Sequence, residues 1–236
     1  MKLSFANDRV LAVVAHPDDA ELLCAGTLAR AKAEGAAIGV CVMCLGDKGQ
    51  PATHVENLAA VRQKEMTAAA NLLGAELYLA GFPDAELADT SETRVRLVGF
   101  CRQFRPTLVL AHSADDYHSD HRAASALAEA ATWFCASPGH RTETSPLAAP
   151  PALWWMDTVG MARFEPGFFL DIGPHVAIKH QMLRCHESQL QRGGDPGFAP
   201  LETLLERQYR TRGAQAGVEA AEAFCAHNVF KRARAW

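Results

Sequence analysis

Short apolar runs and longer mixed stretches succeed one another along the chain. Uninterrupted apolar runs rich in β-branched residues are typical of buried strands, whereas apolar positions at helical spacing that end at glycine are typical of helices. The apolar runs predict strands at residues 9–15, 38–45, 76–80, 107–111, 153–158 and 168–172. The stretches with helical spacing predict helices at residues 19–34, 57–73, 92–104, 122–136, 175–187 and 201–212.

Strands that alternate with helices indicate a parallel sheet covered by helices on both faces. Four prolines in residues 137–151 interrupt this alternation and predict a long loop, and residues 193–197 predict a flexible one. The sequence has no repeat and no obvious interdomain linker. We therefore expect one domain over residues 1–236 with an α/β fold: a Rossmann-like, mostly parallel sheet with a C-terminal elaboration.

A polar motif, A-H-P-D-D-A-E, follows the first predicted strand directly and contains His16, Asp18 and Asp19. In open α/β sheets the carboxyl end of a strand is where ligands bind, and a glycine-rich phosphate loop is common there. Here an imidazole and two carboxylates occupy the turn, and these groups repel phosphate but suit a cation.

A second polar motif, H-S-A-D-D-Y-H-S-D-H, spans residues 112–121 and follows the strand predicted at 107–111. Both motifs lie at the same edge of the predicted sheet and can converge on one point. Histidine and aspartate are the ligands expected for zinc or a similar divalent ion, and a catalytic zinc needs three of them plus an open position. The surplus donors are available for proton transfer.

Taken singly, these residues have ordinary structural interpretations. His16 can satisfy a strand end, and Asp18 or Asp19 can cap a helix. The joint occurrence of both motifs at one sheet edge favours the metal site. Other polar residues are interpreted as structural, namely His112, Asp115 and Asp116 in the second motif and the isolated His54, His140, His175, His180, His186 and His227.

The pair of motifs A-H-P-D-D-x-E and H-x-D-H resembles the LmbE-like, or PIG-L, superfamily of N-deacetylases. Nearly the whole chain takes part in the resemblance, through weaker matches at residues 62–65, 73–74, 83–84, 187–189 and 221–224. The bacillithiol-biosynthesis type, the N-acetylglucosaminyl malate deacetylases, is the most similar subgroup.

The resemblance implies a zinc ion, or another divalent ion, bound by His16, Asp19 and His121. It gives Asp18 the role of general base. It makes His118 the residue that stabilises the oxyanion or acts as an acid. The same resemblance implies a homo-oligomer, a trimer or a hexamer made of two trimers.

Further roles follow from the same resemblance. Asp120 would orient an imidazole from behind the metal ligands, as carboxylates at metal sites do. Arg62 and Asp84 would contact sugar hydroxyls. The chain departs from the family pattern at two positions: Ser119 stands where proline is common, and Ala85 stands where glycine follows the aspartate. The second departure puts the geometry around Asp84 in question.

The expected function is hydrolysis of the N-acetyl group of an N-acetylglucosamine-type conjugate by metal-activated water and an aspartate base. One alternative is an amidase that acts on a thiol conjugate or another N-acyl amide. A nucleotide-binding module is a further alternative, which the missing glycine-rich loop opposes. A non-catalytic metal-binding protein is the last, and Asp18, which is not needed as a third ligand, opposes it.

Charge and composition narrow the partners and the compartment. A net charge of −4 without a basic stripe argues against nucleic acid. No apolar run is long enough to span a bilayer, so we expect no membrane partner. Residues 1–8 lack the apolar segment of a signal peptide, and the seven scattered cysteines suit free thiols. We therefore expect a cytoplasmic protein.

Overall fold

A mixed sheet lies at the centre of the computed structural model, which describes residues 4–194 and 200–229. Its strands are β1 (Arg9–Val14), β2 (Ala37–Cys44), β3 (Glu76–Phe82), β4 (Leu108–Ala111), β5 (Ala152–Met156), β6 (Phe168–Asp171) and β7 (Ala221–Ala226). Within the described residues these seven strands follow the order β3-β2-β1-β4-β5-β7-β6. Strands β1 to β5 are parallel, and β7 runs antiparallel between β5 and β6.

Helices cover both faces of this sheet. They are α1 (Asp19–Leu23), α2 (Ala25–Ala33), α3 (Leu58–Leu73), α4 (Ser91–Phe104), α5 (Ser119–Phe134), α6 (Val176–Arg184), α7 (Glu187–Leu190) and α8 (Leu201–Ala216). Side chains alternate across β1, so Val10, Ala12 and Val14 pack with α2, α3, α6 and α8, while Leu11 and Val13 pack with α4 and α5. The predicted α/β fold with helices on both faces is confirmed.

The strand order changes direction between β1 and β4. From β1 the chain moves to β2 and β3 on one side and then returns to β4 on the other side of β1. Such a switch point leaves a crevice at the carboxyl ends of the two central strands, because their connections leave in opposite directions. The two polar motifs follow these two strands, and the fold therefore brings them together.

The helix predicted at 19–34 is wrong in one respect, because it is two helices separated at Cys24. The carboxylate of Glu222 accepts hydrogen bonds from the backbone N–H groups of Gly26 and Thr27, at 2.9 and 2.7 Å. This contact satisfies donors at the start of α2 that a continuous helix would satisfy internally. Glu222 lies on β7, a strand that the apolar pattern did not predict.

Other boundaries also differ from the predictions. Helix α5 begins at Ser119 rather than at residue 122, so Asp120 and His121 lie in its first turn. The helix predicted at 175–187 ends at Arg184, and α7 starts anew at Glu187. Residues 137–151 form the predicted long loop, whereas much of the loop predicted at 193–197 lies outside the described residues. None of the described helices is both long and apolar enough to cross a bilayer.

Candidate active site

The two motifs meet because the strands that carry them are hydrogen-bonded neighbours, with Val13 paired to Ala111. The chain turns sharply after β1, and Asp18 takes a left-handed backbone conformation with φ of 100°. Non-glycine residues rarely adopt this region, and such strain is concentrated at functional sites. The turn makes the adjacent carboxylates of Asp18 and Asp19 leave the backbone in different directions.

The Asp19 carboxylate lies among three imidazoles. Its Oδ2 is 3.5 Å from His16 Nδ1 and 3.2 Å from His112 Nε2, and its Oδ1 is 3.3 Å from His121 Nε2. The backbone N–H of His16 also donates to Oδ2 at 2.7 Å. Asp19 is 3% exposed, so this buried carboxylate requires compensating positive charge.

The surrounding carboxylates strongly raise the pKa of two of these imidazoles. Burial opposes protonation of His16, but Asp120 and Asp19 raise its pKa to about 10. Burial likewise opposes protonation of His121, but Asp19 and Asp116 raise its pKa to about 9. The carboxylates therefore draw positive charge to the imidazole nitrogens, and a divalent cation among the same atoms would supply that charge directly.

The donor set fits a divalent metal ion. One group of nitrogen atoms within 4.8 Å of one another comes from His16, His118 and His121, and a second group of atoms joins Asp19, His112 and His121. The ligand set implied by resemblance, His16, Asp19 and His121, takes two members from each group. Two imidazoles and one carboxylate beside an open cavity match the three-ligand arrangement of catalytic zinc sites.

Asp18 lines the same cavity as this cluster and is bound by Arg62. The guanidinium Nη2 of Arg62 donates to Asp18 Oδ2 at 2.7 Å and also contacts the carbonyl oxygen of Pro17. Burial raises the pKa of Asp18, although the charge of Arg62 opposes that shift. A raised pKa brings a carboxylate closer to the value that suits a general base near neutral pH.

His118 lies at the entrance of α5, where its Nδ1 accepts a hydrogen bond from the backbone N–H of Asp120 at 3.2 Å. Because Nδ1 accepts, the neutral ring carries its hydrogen on Nε2. Burial lowers the pKa of His118, and the neighbouring imidazoles of His121 and His16 lower it further. The lowered pKa favours the neutral imidazole of His118, which then has a donor at Nε2 beside the candidate metal ligands.

Asp120 contacts the imidazole of His16, with Oδ2 at 3.1 Å from Nε2. The same oxygen accepts a hydrogen bond from the backbone N–H of Ala85 at 2.8 Å. Ala85 reaches this position with a φ of 63°, the left-handed conformation that glycine adopts more readily. The alanine at this departure from the family pattern thus keeps the turn that the glycine would form, at a cost in backbone strain.

The structure places Arg62 and Asp84 on the cavity wall, where both are occupied by contacts within the protein. Asp84 accepts hydrogen bonds from the N–H of Gly46 at 2.7 Å and of Lys48 at 3.1 Å. Asp84 thus binds the backbone of residues 46 and 48, and Arg62 binds Asp18. Both side chains therefore help to shape the site. Direct contact with sugar hydroxyls stays a prediction.

A cavity of about 960 Å³ opens in front of this cluster. Its volume lies at the upper end of the roughly 300–1,000 Å³ that is common for ligand sites. The lining includes both apolar and cationic side chains. The apolar ones include Leu22, Val159, Leu201 and Leu204, and the cationic ones include Lys48, Arg163 and Arg192.

The sequence interpretation missed His112, which it assigned to the loop. This side chain is fully buried, its Nε2 accepts a hydrogen bond from the N–H of Ala15 at 3.0 Å, and its ring stacks on that of His121 at 4.0 Å. Burial lowers the pKa of His112 to about 4, so the ring is neutral. Its place directly after β4, beside the end of β1, was the available signal.

Comparison with known proteins agrees with this geometry. The sequence profile of the GlcNAc-PI de-N-acetylase family, PIG-L, matches residues 11–132, which include both motifs. The chain belongs to the PIG-L family. The predicted resemblance to the PIG-L superfamily is therefore confirmed, and with it membership of a family of metal-dependent de-N-acetylases, whereas the bacillithiol-biosynthesis subgroup stays a prediction.

The chain is similar to several deacetylases that act on sugars. The chain is similar to the diacetylchitobiose deacetylase of Thermococcus kodakarensis, with 31% identity over 190 residues, 77% of this chain and 70% of the relative. It is also similar in structure to the N,N'-diacetylchitobiose deacetylase of Pyrococcus horikoshii, with a TM-score of 0.82 and 25% identity. That match covers 93% of this chain and 83% of the other.

A different chemistry occurs among the relatives as well. The 4-oxalmesaconate hydratase of Pseudomonas putida is 27% identical over 188 residues, 76% of this chain and 73% of the relative. Since one fold can host several reactions, the side chains of the site must decide between them.

Proposed function

We propose that this protein is a zinc-dependent hydrolase that removes the N-acetyl group from an N-acetylglucosamine-type conjugate. The observation that carries the proposal is the separation of roles between adjacent aspartates. Asp19 contacts the imidazoles of His16 and His121, while Asp18 is held by Arg62 on the cavity wall. A metal ligand and an independent base are the two groups that hydrolysis of an amide requires.

In this proposal His16, Asp19 and His121 hold the zinc ion, and Asp120 orients His16. A bound zinc ion acts as a Lewis acid that polarises the amide carbonyl and makes water a stronger nucleophile near neutral pH. Asp18 takes the proton of the attacking water at Oδ1, because its Oδ2 is bound to Arg62. The same carboxylic acid then returns the proton to the departing nitrogen.

His118 stabilises the carbonyl oxygen as that atom gains negative charge. Its Nε2 donates the hydrogen, and no extra proton is needed because the neutral ring already carries hydrogen there. The lowered pKa of His118 suits this role, because it favours the neutral ring that donates from Nε2.

An acetate-release assay tests the function. Zinc-loaded protein is incubated with N-acetylglucosamine conjugates, and both acetate and the free amine are measured. We expect equal amounts of the two products. The matched alternative is hydration of 4-oxalmesaconate, the compound named for the hydratase relative. Hydration without acetate release would contradict the proposal. Release of other acyl groups but not acetate would favour the amidase alternative.

We also propose a cytoplasmic homo-oligomer, a trimer or a hexamer. Seven cysteines without a disulfide support a reducing compartment. Trp154 and Phe168 contact each other with ring centroids 4.8 Å apart. These aromatic residues pack within the protein, so they are no evidence for contact between copies of the chain. The oligomeric state therefore rests on family resemblance and is tested directly below.

A further inference from the structure

A second buried polar pair lies behind the proposed base. Glu21 is on α1, and His186 immediately precedes α7. Both side chains have no exposed surface, and Glu21 Oε1 is 3.5 Å from His186 Nε2. Neither glutamate oxygen and neither ring nitrogen makes a hydrogen bond with the described part of the chain. A buried carboxylate or imidazole without partners is costly, so the two groups depend on each other's charge.

The pair interacts with the base and with its arginine. The charge of Asp18 raises the pKa of His186, whereas the charge of Arg62 lowers it. Two acidic groups, Asp18 and Glu21, thus share one buried region with two basic groups. Although burial opposes protonation, the Glu21 carboxylate raises the pKa of His186.

Helix α3 fixes where His186 lies relative to Arg62. The N–H and the hydroxyl of Ser188 both donate to the carboxylate of Glu65 on α3, each at 2.7 Å. Arg62 lies one turn earlier on the same helix. Gln189 adds a hydrogen bond at 2.9 Å to the carbonyl oxygen of Gly49. The segment that carries His186 is therefore bound to the same helix that holds Asp18.

We propose that Glu21 and His186 are positioning residues for the deacetylation. The Glu21 carboxylate holds the His186 imidazole behind Asp18, and His186 and Arg62 together keep the Asp18 carboxylate in its strained position at the cavity. This inference rests on the proposed function, in which Asp18 is the base. From the sequence, His186 is interpreted as an ordinary polar residue, and Glu21, the last residue of the first motif, has no predicted role.

Glu21→Gln and His186→Asn test the pair kinetically. Both variants should fold and bind one metal ion per chain, but kcat should fall about 10- to 100-fold, the usual effect of losing a residue that supports a catalytic group. KM should change less than about twofold, because the substrate contacts remain. The kcat of the double variant should be no lower than that of the less active single variant, since the two residues act together.

A second buried pair provides the control. Lys179 and Glu222 lie 2.6 Å apart, both buried, on α6 and β7. Glu222→Gln should lower Tm and leave the kcat of the folded enzyme unchanged. If Glu21→Gln and His186→Asn behave in the same way, with lower Tm and normal kcat, the pair is structural and the proposal is overturned.

Nitrogen NMR of the His186 ring gives a readout without turnover. The ring signals of His186 are identified by their loss in His186→Asn. Asp18→Asn should shift them, whereas Glu222→Gln should not. Unchanged signals in Asp18→Asn would overturn the proposal. If the wild-type protein releases no acetate from any conjugate, the proposed function fails, and the NMR result alone decides whether His186 is coupled to Asp18.

Discussion

At the scale of single residues, the turn after β1 separates two neighbouring carboxylates into different roles. Asp18 has a φ of 100°, while Asp19 begins α1 with helical geometry. Backbone strain of this kind costs roughly 1–3 kcal/mol and persists only where surrounding contacts hold it. Arg62 provides such a contact at Asp18 Oδ2. In the proposed function, this strained turn provides both a metal ligand and a general base from consecutive positions.

Asp18→Asn should retain the fold and the metal but lose turnover. Removal of a general base typically costs on the order of 10²–10⁴-fold in rate. Metal analysis and steady-state kinetics measure the effect. Asp19→Asn is the matched control at the next position and should lose the metal. If Asp18→Asn lacks metal while Asp19→Asn keeps it, the two roles are exchanged.

Ala85→Gly should stabilise the protein by about 1 kcal/mol. Alanine at a φ of 63° carries a left-handed penalty that exceeds the extra entropy glycine loses on folding. Gly81→Ala is the reverse change at a position with a φ of 78° and no atom within 4 Å of an added Cβ. It should lower the free energy of unfolding by about 1 kcal/mol. Urea unfolding of both variants measures this, and a less stable Ala85→Gly would contradict the strain.

At the scale of elements, α8 controls how the chain leaves the sheet after β5. Arg212 binds Asp157 through two hydrogen bonds, Nε to Oδ2 at 2.6 Å and Nη2 to Oδ1 at 3.1 Å. Gln208 of the same helix donates to the carbonyl oxygen of Thr158 at 2.9 Å. Residues 158–160 then line the cavity. The C-terminal elaboration thus shapes the substrate side of the site from a distance.

Arg212→Leu should destabilise the protein by about 3–5 kcal/mol, because it leaves Asp157 buried without its partner. We also expect a raised KM, since the cavity loop starts at this contact. Arg210→Leu on the same helix is the control, because its ion pair with Glu206 is largely exposed. It should leave both the unfolding free energy and KM nearly unchanged. Equal effects of the two substitutions would contradict the role given to Asp157.

At the scale of the whole molecule, the switch in strand order decides where the site forms. Strands β1 and β4 are neighbours although residues 15–107 separate them along the chain. Side chains from both strand ends can therefore hold one ion, and a bound metal would link distant parts of the fold. Binding to the folded state alone stabilises that state.

Purified protein should carry one divalent ion per chain, with zinc as the expected metal. Its removal by a chelator should abolish acetate release and lower Tm, and added zinc should restore both. The loss in stability is about 2.7 kcal/mol when free metal is 100 times its Kd. Each of His16→Ala, Asp19→Ala and His121→Ala should lose the ion. Full metal retention in His121→Ala would exclude the second motif from the site.

Light scattering coupled to size exclusion should give the mass of a trimer or a hexamer of the 25.5 kDa chain. The measurement is made at micromolar protein concentration. Elution as a strict monomer at that concentration would contradict the expected homo-oligomer.

Local signals in the sequence determined much of this protein. Apolar runs predicted β1 to β6, and Gly74 ends α3 in the left-handed conformation that such a stop signal implies. The two polar motifs predicted the chemistry of the site and its edge of the sheet. These features depend on neighbours along the chain, such as burial of a run or the conformational freedom of glycine, and local sequence carries that information.

Tertiary structure alone decided the remainder. The break at Cys24 arises where Glu222, almost 200 positions away, binds the start of α2. Strand β7 is stabilised by antiparallel pairing with both β5 and β6. His112, at the start of the second motif, meets Asp19 in space, and His186, isolated in sequence, meets Glu21. The physical reason is that buried polar groups must find partners wherever packing brings them, and their partners lie at distances along the chain that no local pattern records.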